Sequence, residues 1–91
     1  IGVDEKTAVC IDENGLAKVL GTNKAFFMKT LSSPEICLPN QLLHWYNNQQ
    51  ALSVKILNGT ATGTHTFSLT DWTTDADEYW YVEEGVFKIK N

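Results

Sequence analysis

Four serines, two histidines, two cysteines and a set of carboxylates are the residues of this chain equipped for covalent or acid–base chemistry. A serine attacks only when an adjacent base takes its proton and fixed donors hold the oxyanion. Ser32 and Ser33 lie in a loop before Pro34, Ser53 and Ser68 fall on the polar faces of strand patterns, and none sits in a Gly-x-Ser-x-Gly elbow. His44 and His65 stand 21 positions apart with no His-x-His or Cys-x-x-Cys spacing nearby, so no metal or cofactor site is expected. His65, Phe67 and Leu69 alternate with Thr66, Ser68 and Thr70, so His65 reads as a satisfied core or sheet histidine. Cys10 and Cys37 form either one disulfide or two buried thiols; the apolar run Ala8-Val9-Cys10-Ile11 favours a buried thiol. Asn58-Gly59-Thr60 fits a glycosylation sequon, but Asn-Gly is also hairpin-turn chemistry, and the turn is the preferred reading.

The elements that must position these residues are strands. Lys6–Ile11 is β-rich, and its continuously apolar core predicts a strand covered on both faces. Glu13-Asn14-Gly15 predicts a tight turn into a return strand, Leu16–Leu20. Gly21-Thr22-Asn23-Lys24 predicts another turn into a third strand, Ala25–Met28, so the opening reads as a β-meander. Pro34 and Pro39 each remove a backbone donor and exclude a long helix between Leu31 and Gln41. Leu42–Tyr46 reads as a short strand or one helical turn, and Asn47–Gln50 as a polar turn. Leu52, Val54 and Ile56 then alternate with Ser53 and Lys55, and Tyr79–Val82 and Val86–Lys90 flank Glu83-Glu84-Gly85 as a C-terminal hairpin. Seven or so strands without a convincing helix make the chain, standing alone, mainly β.

Composition narrows the partner classes. Ninety-one residues make about one domain, able to bury roughly 60–65% of its unfolded surface. Seven lysines, no arginine and eleven acidic residues give a net charge of −4, which argues against a nucleic-acid binder. No apolar run approaches the roughly 20 residues of a membrane helix, so no membrane span is expected. Asp75, Asp77 and Glu78 read as a solvated acidic loop. Trp45, Trp72 and Trp80, with Asp71 and the Tyr79-Trp80-Tyr81 run, could stack on sugar rings, but aromatic residues in a small β domain serve first as buried area.

Gly2-Val3-Asp4-Glu5-Lys6-Thr7-Ala8 resembles the G-[IV]-D-E-x-T-A stretch of the cyanophycinase-like serine peptidases, relatives of peptidase E within the class I glutamine amidotransferase-like hydrolases. Val19-Leu20-Gly21 and Ala25-Phe26-Phe27 stand where that family has a turn and another short strand, so the specific part of the likeness runs over about Ile1–Met28. Ala51–Phe87 is more loosely similar to C-terminal extensions on some members.

The resemblance implies an α/β hydrolase fold whose catalytic Ser and His lie before Ile1, leaving no catalytic residue in this chain. It implies that residues 1–30 are terminal strands of the hydrolase core, 31–50 an irregular connection, and 51–91 a β appendix of sandwich-like character. It carries over Asp4 and Glu5 as residues lining the substrate site of a serine exopeptidase. Adjacent carboxylates on extended chain point to opposite faces, so one of the two faces a pocket, and Glu5 is preferred because related peptidases keep a Glu there. The implied partners are the catalytic part of the same protein and, through it, a peptide substrate. An unpaired edge also makes self-association an expectation. The compartment stays open, with an extracytoplasmic one preferred. The alternative is a freestanding β-sandwich module binding glycan or protein, which calls for exposed, coplanar Trp or Tyr rings.

Overall fold

The structure, a computed structural model, describes residues 1–72 and 76–91; Asp75 of the expected acidic loop lies outside them. Eight strands form among the described residues: β1 Gly2–Val3, β2 Thr7–Ile11, β3 Leu16–Gly21, β4 Lys24–Thr30, β5 Leu52–Asn58, β6 Thr66–Ser68, β7 Glu78–Glu83 and β8 Val86–Lys90. One 3-10 turn spans Asn47–Gln49. The chain is therefore mainly β, built of antiparallel sheets of short strands, as the alternation predicts. One sheet has the hydrogen-bonded order β1-β4-β5-β7-β8 and the other β2-β3-β6. No helix among the described residues is long and apolar enough to cross a membrane.

The first hairpin shows how local chemistry sets register. Asp12 N–H donates to Leu16 O at 3.1 Å and Gly15 N–H donates to Asp12 O at 3.0 Å. The Asp12 carboxylate also accepts from Asn14 N–H at 2.9 Å and Leu16 N–H at 3.0 Å, so it braces the turn from inside. Gly15 takes the left-handed conformation (φ 80°), and β2 and β3 then pair from Ile11↔Ala17 to Thr7↔Gly21.

β3 does not continue into a meander. Instead β4 leaves for the other sheet, where Gly2 pairs with Phe26 and Val3 with Ala25. The corner between them is Gly21, at φ 120°, where any Cβ would run into the Lys6 carbonyl. The segment after β5 is laid against this corner: Gly59 N–H donates to Asn23 O at 2.7 Å and Gly21 N–H donates to Thr60 O at 3.0 Å. Asn58-Gly59 is thus not a hairpin turn. Gly59 is there because backbone passes against backbone, and β6 pairs with β3 rather than with β5.

The residues divide into two compact units: Ile1–Phe27 with the described part of Lys55–Asp75, and Met28–Val54 with Ala76–Asn91. In the first, Ala17, Val19, Ala25, Phe27 and Phe67 form a buried cluster, with Val9, Leu57, Leu69 and Trp72 packed on it. Phe27 stacks on Phe67 at 4.5 Å and Trp72 meets Phe67 edge-on at 4.8 Å. Each such pair contributes about 0.5–1.5 kcal/mol beyond the area it buries. β2 is the edge of its sheet; Val9 packs on the core and Thr7 is half-buried. Ala8, Cys10 and Ile11 are exposed, Ile11 by half, so the apolar run is not covered on both faces.

In the second unit Ala51, Val54 and Tyr81 are buried, and Tyr46 meets Tyr81 edge-on at 5.6 Å. β7 and β8 form a two-residue hairpin in which Glu83 pairs with Val86 across Glu84 (φ 50°) and Gly85 (φ 78°). Two positive φ values give the turn the twist that suits a hairpin. The Leu42–Tyr46 stretch becomes neither strand nor helix. His44 bridges Ile36, and Trp45 bridges Val82. Asn47, Asn48 and Gln49 all have positive φ, a costly run for non-glycine residues. It starts under the Glu35 carboxylate, which accepts from Tyr46 N–H at 2.9 Å and Asn47 N–H at 2.8 Å.

Candidate functional site

Asp4 and Glu5 sit in the exposed link between β1 and β2. Asp4 closes a local ring with Lys24: its N–H donates to Lys24 O at 3.0 Å, and its carboxylate accepts from Lys24 N–H at 3.3 Å. Glu5 acts through its main chain, its carbonyl accepting from Asn23 Nδ2 at 2.9 Å and from the Thr7 hydroxyl at 3.2 Å. Its carboxylate is exposed and makes no hydrogen bond or ion pair among the described residues.

The serines and histidines do not meet as a nucleophile and base. Ser32 Oγ is buried without a hydrogen-bond partner, while its carbonyl accepts from Trp45 Nε1 at 2.7 Å. Ser68 is committed to a turn with Thr70 and Asp71. His65 is exposed rather than part of a core face, and its Nδ1 lies 2.8 Å from Asn58 O. The cysteine expectation is also corrected: Cys10 and Cys37 are free and exposed, because β2 is an edge strand and Cys37 lies on the open proline loop.

The second unit carries a depression of about 510 Å³ lined by Ile36, Gln41, Leu42, His44 and Glu84. The irregular loop supplies four of these residues and the β7–β8 turn supplies the fifth. Gly85 N–H donates to Leu43 O at 2.8 Å, and Glu84 N–H reaches His44 Nδ1 at 3.4 Å, which ties loop to turn. The imidazole stacks on Tyr46 at 5.5 Å. Leu42 is 65% exposed at the rim. Sequence reasoning did not single out Glu84 or Gln41, since nothing local connects a proline loop to a turn some forty residues on.

The same unit also carries an open apolar sheet face. Residues opposite each other in register share a face. Leu52↔Trp80↔Ile89 and Val82↔Phe87 therefore place five apolar side chains together. Phe87 and Ile89 are 56% and 50% exposed, and Leu52, Trp80 and Val82 are half-buried. The face belongs to an edge. Val82 exchanges both main-chain bonds with Trp45, at 2.8 and 2.9 Å, so they point away from β8. By the alternation of an antiparallel ladder, Phe87 and Ile89 then direct their N–H and C=O outward, where no strand follows among the described residues.

The three tryptophans are half-buried and already engaged. Trp45 binds the Ser32 carbonyl, Trp72 packs on Phe67, and Trp80 donates to Glu78 Oε1 at 2.7 Å while meeting Phe87 edge-on at 5.4 Å. Comparison with protein-family models, curated proteins and solved structures finds no match.

Proposed function

We propose that this chain is a non-catalytic β unit of a larger cyanophycinase-like serine exopeptidase, serving to dock on and support its catalytic part. The observation that carries this is the open apolar face of Leu52, Trp80, Val82, Phe87 and Ile89, since contiguous exposed apolar surface marks an interaction site. The Gly2–Ala8 resemblance supplies the identity of the parent, with Glu5 as the residue that would reach its substrate site. Seryl chemistry would then belong to the catalytic part, and the exposed Glu5 carboxylate is available to it. The half-buried, hydrogen-bonded indoles favour this over stacking on a glycan.

The test is the intact mass of the native protein before and after a serine-directed phosphonate probe. A polypeptide several times heavier than 10.2 kDa that gains one probe mass supports the reading. A native 10.2 kDa chain that takes up no probe removes it and leaves a freestanding binding module.

A further inference from the structure

We propose that the depression between the proline loop and the β7–β8 turn binds the amino terminus of a peptide whose first residue is large and aliphatic. Its lining residues offer contacts of different kinds. Ile36 and Leu42 form an apolar wall, Glu84 supplies a carboxylate, and Gln41 and His44 supply hydrogen-bonding groups, around a space of about 510 Å³. That volume lies within the roughly 300–1,000 Å³ of small-ligand sites.

The site is held in shape by main chain. Ile36 and His44 exchange backbone bonds at 3.0 Å each, and Gly85 N–H donates to Leu43 O at 2.8 Å, so loop and turn are fixed to each other. A Cβ added at Gly85 would stand 3.2 Å from Leu42 Cδ2, so the wall rests directly on the turn.

Charge selects the occupant. No lysine lines the depression, and the Glu84 carboxylate makes no hydrogen bond or ion pair among the described residues. Its neighbour Glu83, by contrast, is bound to Lys88 at 2.8 Å. An unpaired carboxylate beside an apolar wall calls for an ammonium group on an apolar body. His44 Nδ1 accepts from Glu84 N–H, so the neutral imidazole carries its proton on Nε2 and offers a donor to a carbonyl. Ammonium, aliphatic side chain and carbonyl around one carbon are the chemistry of an α-amino terminus. A free amino acid would bring its own carboxylate close to Glu84. The depression is also open, with Leu42 65% exposed at its rim, so a chain can lead out of it. The site stands whether or not this chain serves a larger peptidase.

Titration of the 91-residue chain with L-leucyl-glycyl-glycinamide, followed through its backbone amide resonances, tests the proposal. The expected result is saturable millimolar binding that moves the His44, Glu84 and Gly85 resonances. Acetylating the peptide's amine, or replacing its leucine by glycine, should weaken binding by about tenfold, as should using free L-leucine instead. Glu84→Gln should remove the preference for the free over the acetylated amine, and Leu42→Ser the preference for leucine over glycine. Both side chains are exposed, and far-UV circular dichroism confirms that each variant is folded. Absence of saturable shifts at these residues overturns the proposal. Equal binding of the acetylated peptide or of free leucine does the same, as do preferences that survive the two substitutions.

Discussion

Gly59 lies so close to Gly21 that a methyl group added to it would stand 2.8 Å from the Gly21 carbonyl oxygen. Each glycine serves a different need: Gly59 allows the approach, and Gly21 holds a φ of 120° that other residues rarely adopt. Gly21→Ala is expected to cost at least about 2 kcal/mol from backbone strain alone. Gly59→Ala should cost less, because Gly59 has no left-handed φ to strain and its tightest contact, 2.8 Å from backbone, is less severe than the one a Cβ at Gly21 makes with the Lys6 carbonyl. Urea unfolding of both variants gives the order.

Phe67 is the hub of the first unit, stacked on Phe27 and met edge-on by Trp72. Phe67→Ala should destabilise by about 3–5 kcal/mol, combining lost transfer energy with a cavity. Trp72 loses its packing partner in the same step, so red-shifted tryptophan emission from the folded variant is the companion signal.

The sequence made much of this legible, for reasons tied to particular residues. Asn14-Gly15 and Glu84-Gly85 announce their hairpins because a tight turn needs positive φ within a couple of residues. Asn58-Gly59 carries the same letters and misleads, since a glycine chosen for close approach to Gly21 is indistinguishable from one chosen for a turn. The run Ala8–Ile11 misleads about Cys10 because continuous apolarity fits both a central strand and an edge strand whose outer face stays open. The His44–Glu84 depression was hidden, because its two sides come from segments that only tertiary pairing joins. The alternation of Phe87 and Ile89 with Lys88 and Lys90 was in plain view, but which edge of the strand is free depends on the bonds between Val82 and Trp45.

Asp12 braces the first turn with two side-chain bonds to backbone N–H groups. Asp12→Ala should cost about 1–2 kcal/mol, given roughly 1 kcal/mol net for each bond. Asp12→Asn, which keeps an acceptor oxygen, should recover most of that loss. Thermal or urea unfolding of the pair decides it.

The Glu35 carboxyl is held below its ordinary value, first by the Asn47 N–H and then by the Tyr46 N–H. A lowered folded-state value means its stabilising contribution is complete above the unfolded Glu range and is lost as pH falls through the folded value. The Asn47–Gln49 turn should therefore loosen on acidification, with the Asn47 amide resonance titrating alongside Glu35. In Glu35→Gln that amide should show no such titration over the same range.

The apolar face should bind a solvatochromic dye. Phe87→Ser with Ile89→Ser should cut 1-anilinonaphthalene-8-sulfonate fluorescence several-fold, with only a small change in stability because both side chains are half or more exposed. Unchanged dye binding would place the accessible apolar surface elsewhere.

Neither compact unit is a contiguous stretch of chain. Each draws on two separated segments, and β4 and β5 each run from one unit into the other. On the ribosome, the first unit lacks its second segment until after the first segment of the other has been made. The two units therefore cannot mature one after the other like beads on a string, and the late residues of β6 and β7 gate both. A cut at any single loop also cannot yield two self-sufficient halves. Any rearrangement of this gene that keeps the protein working must carry all four segments together.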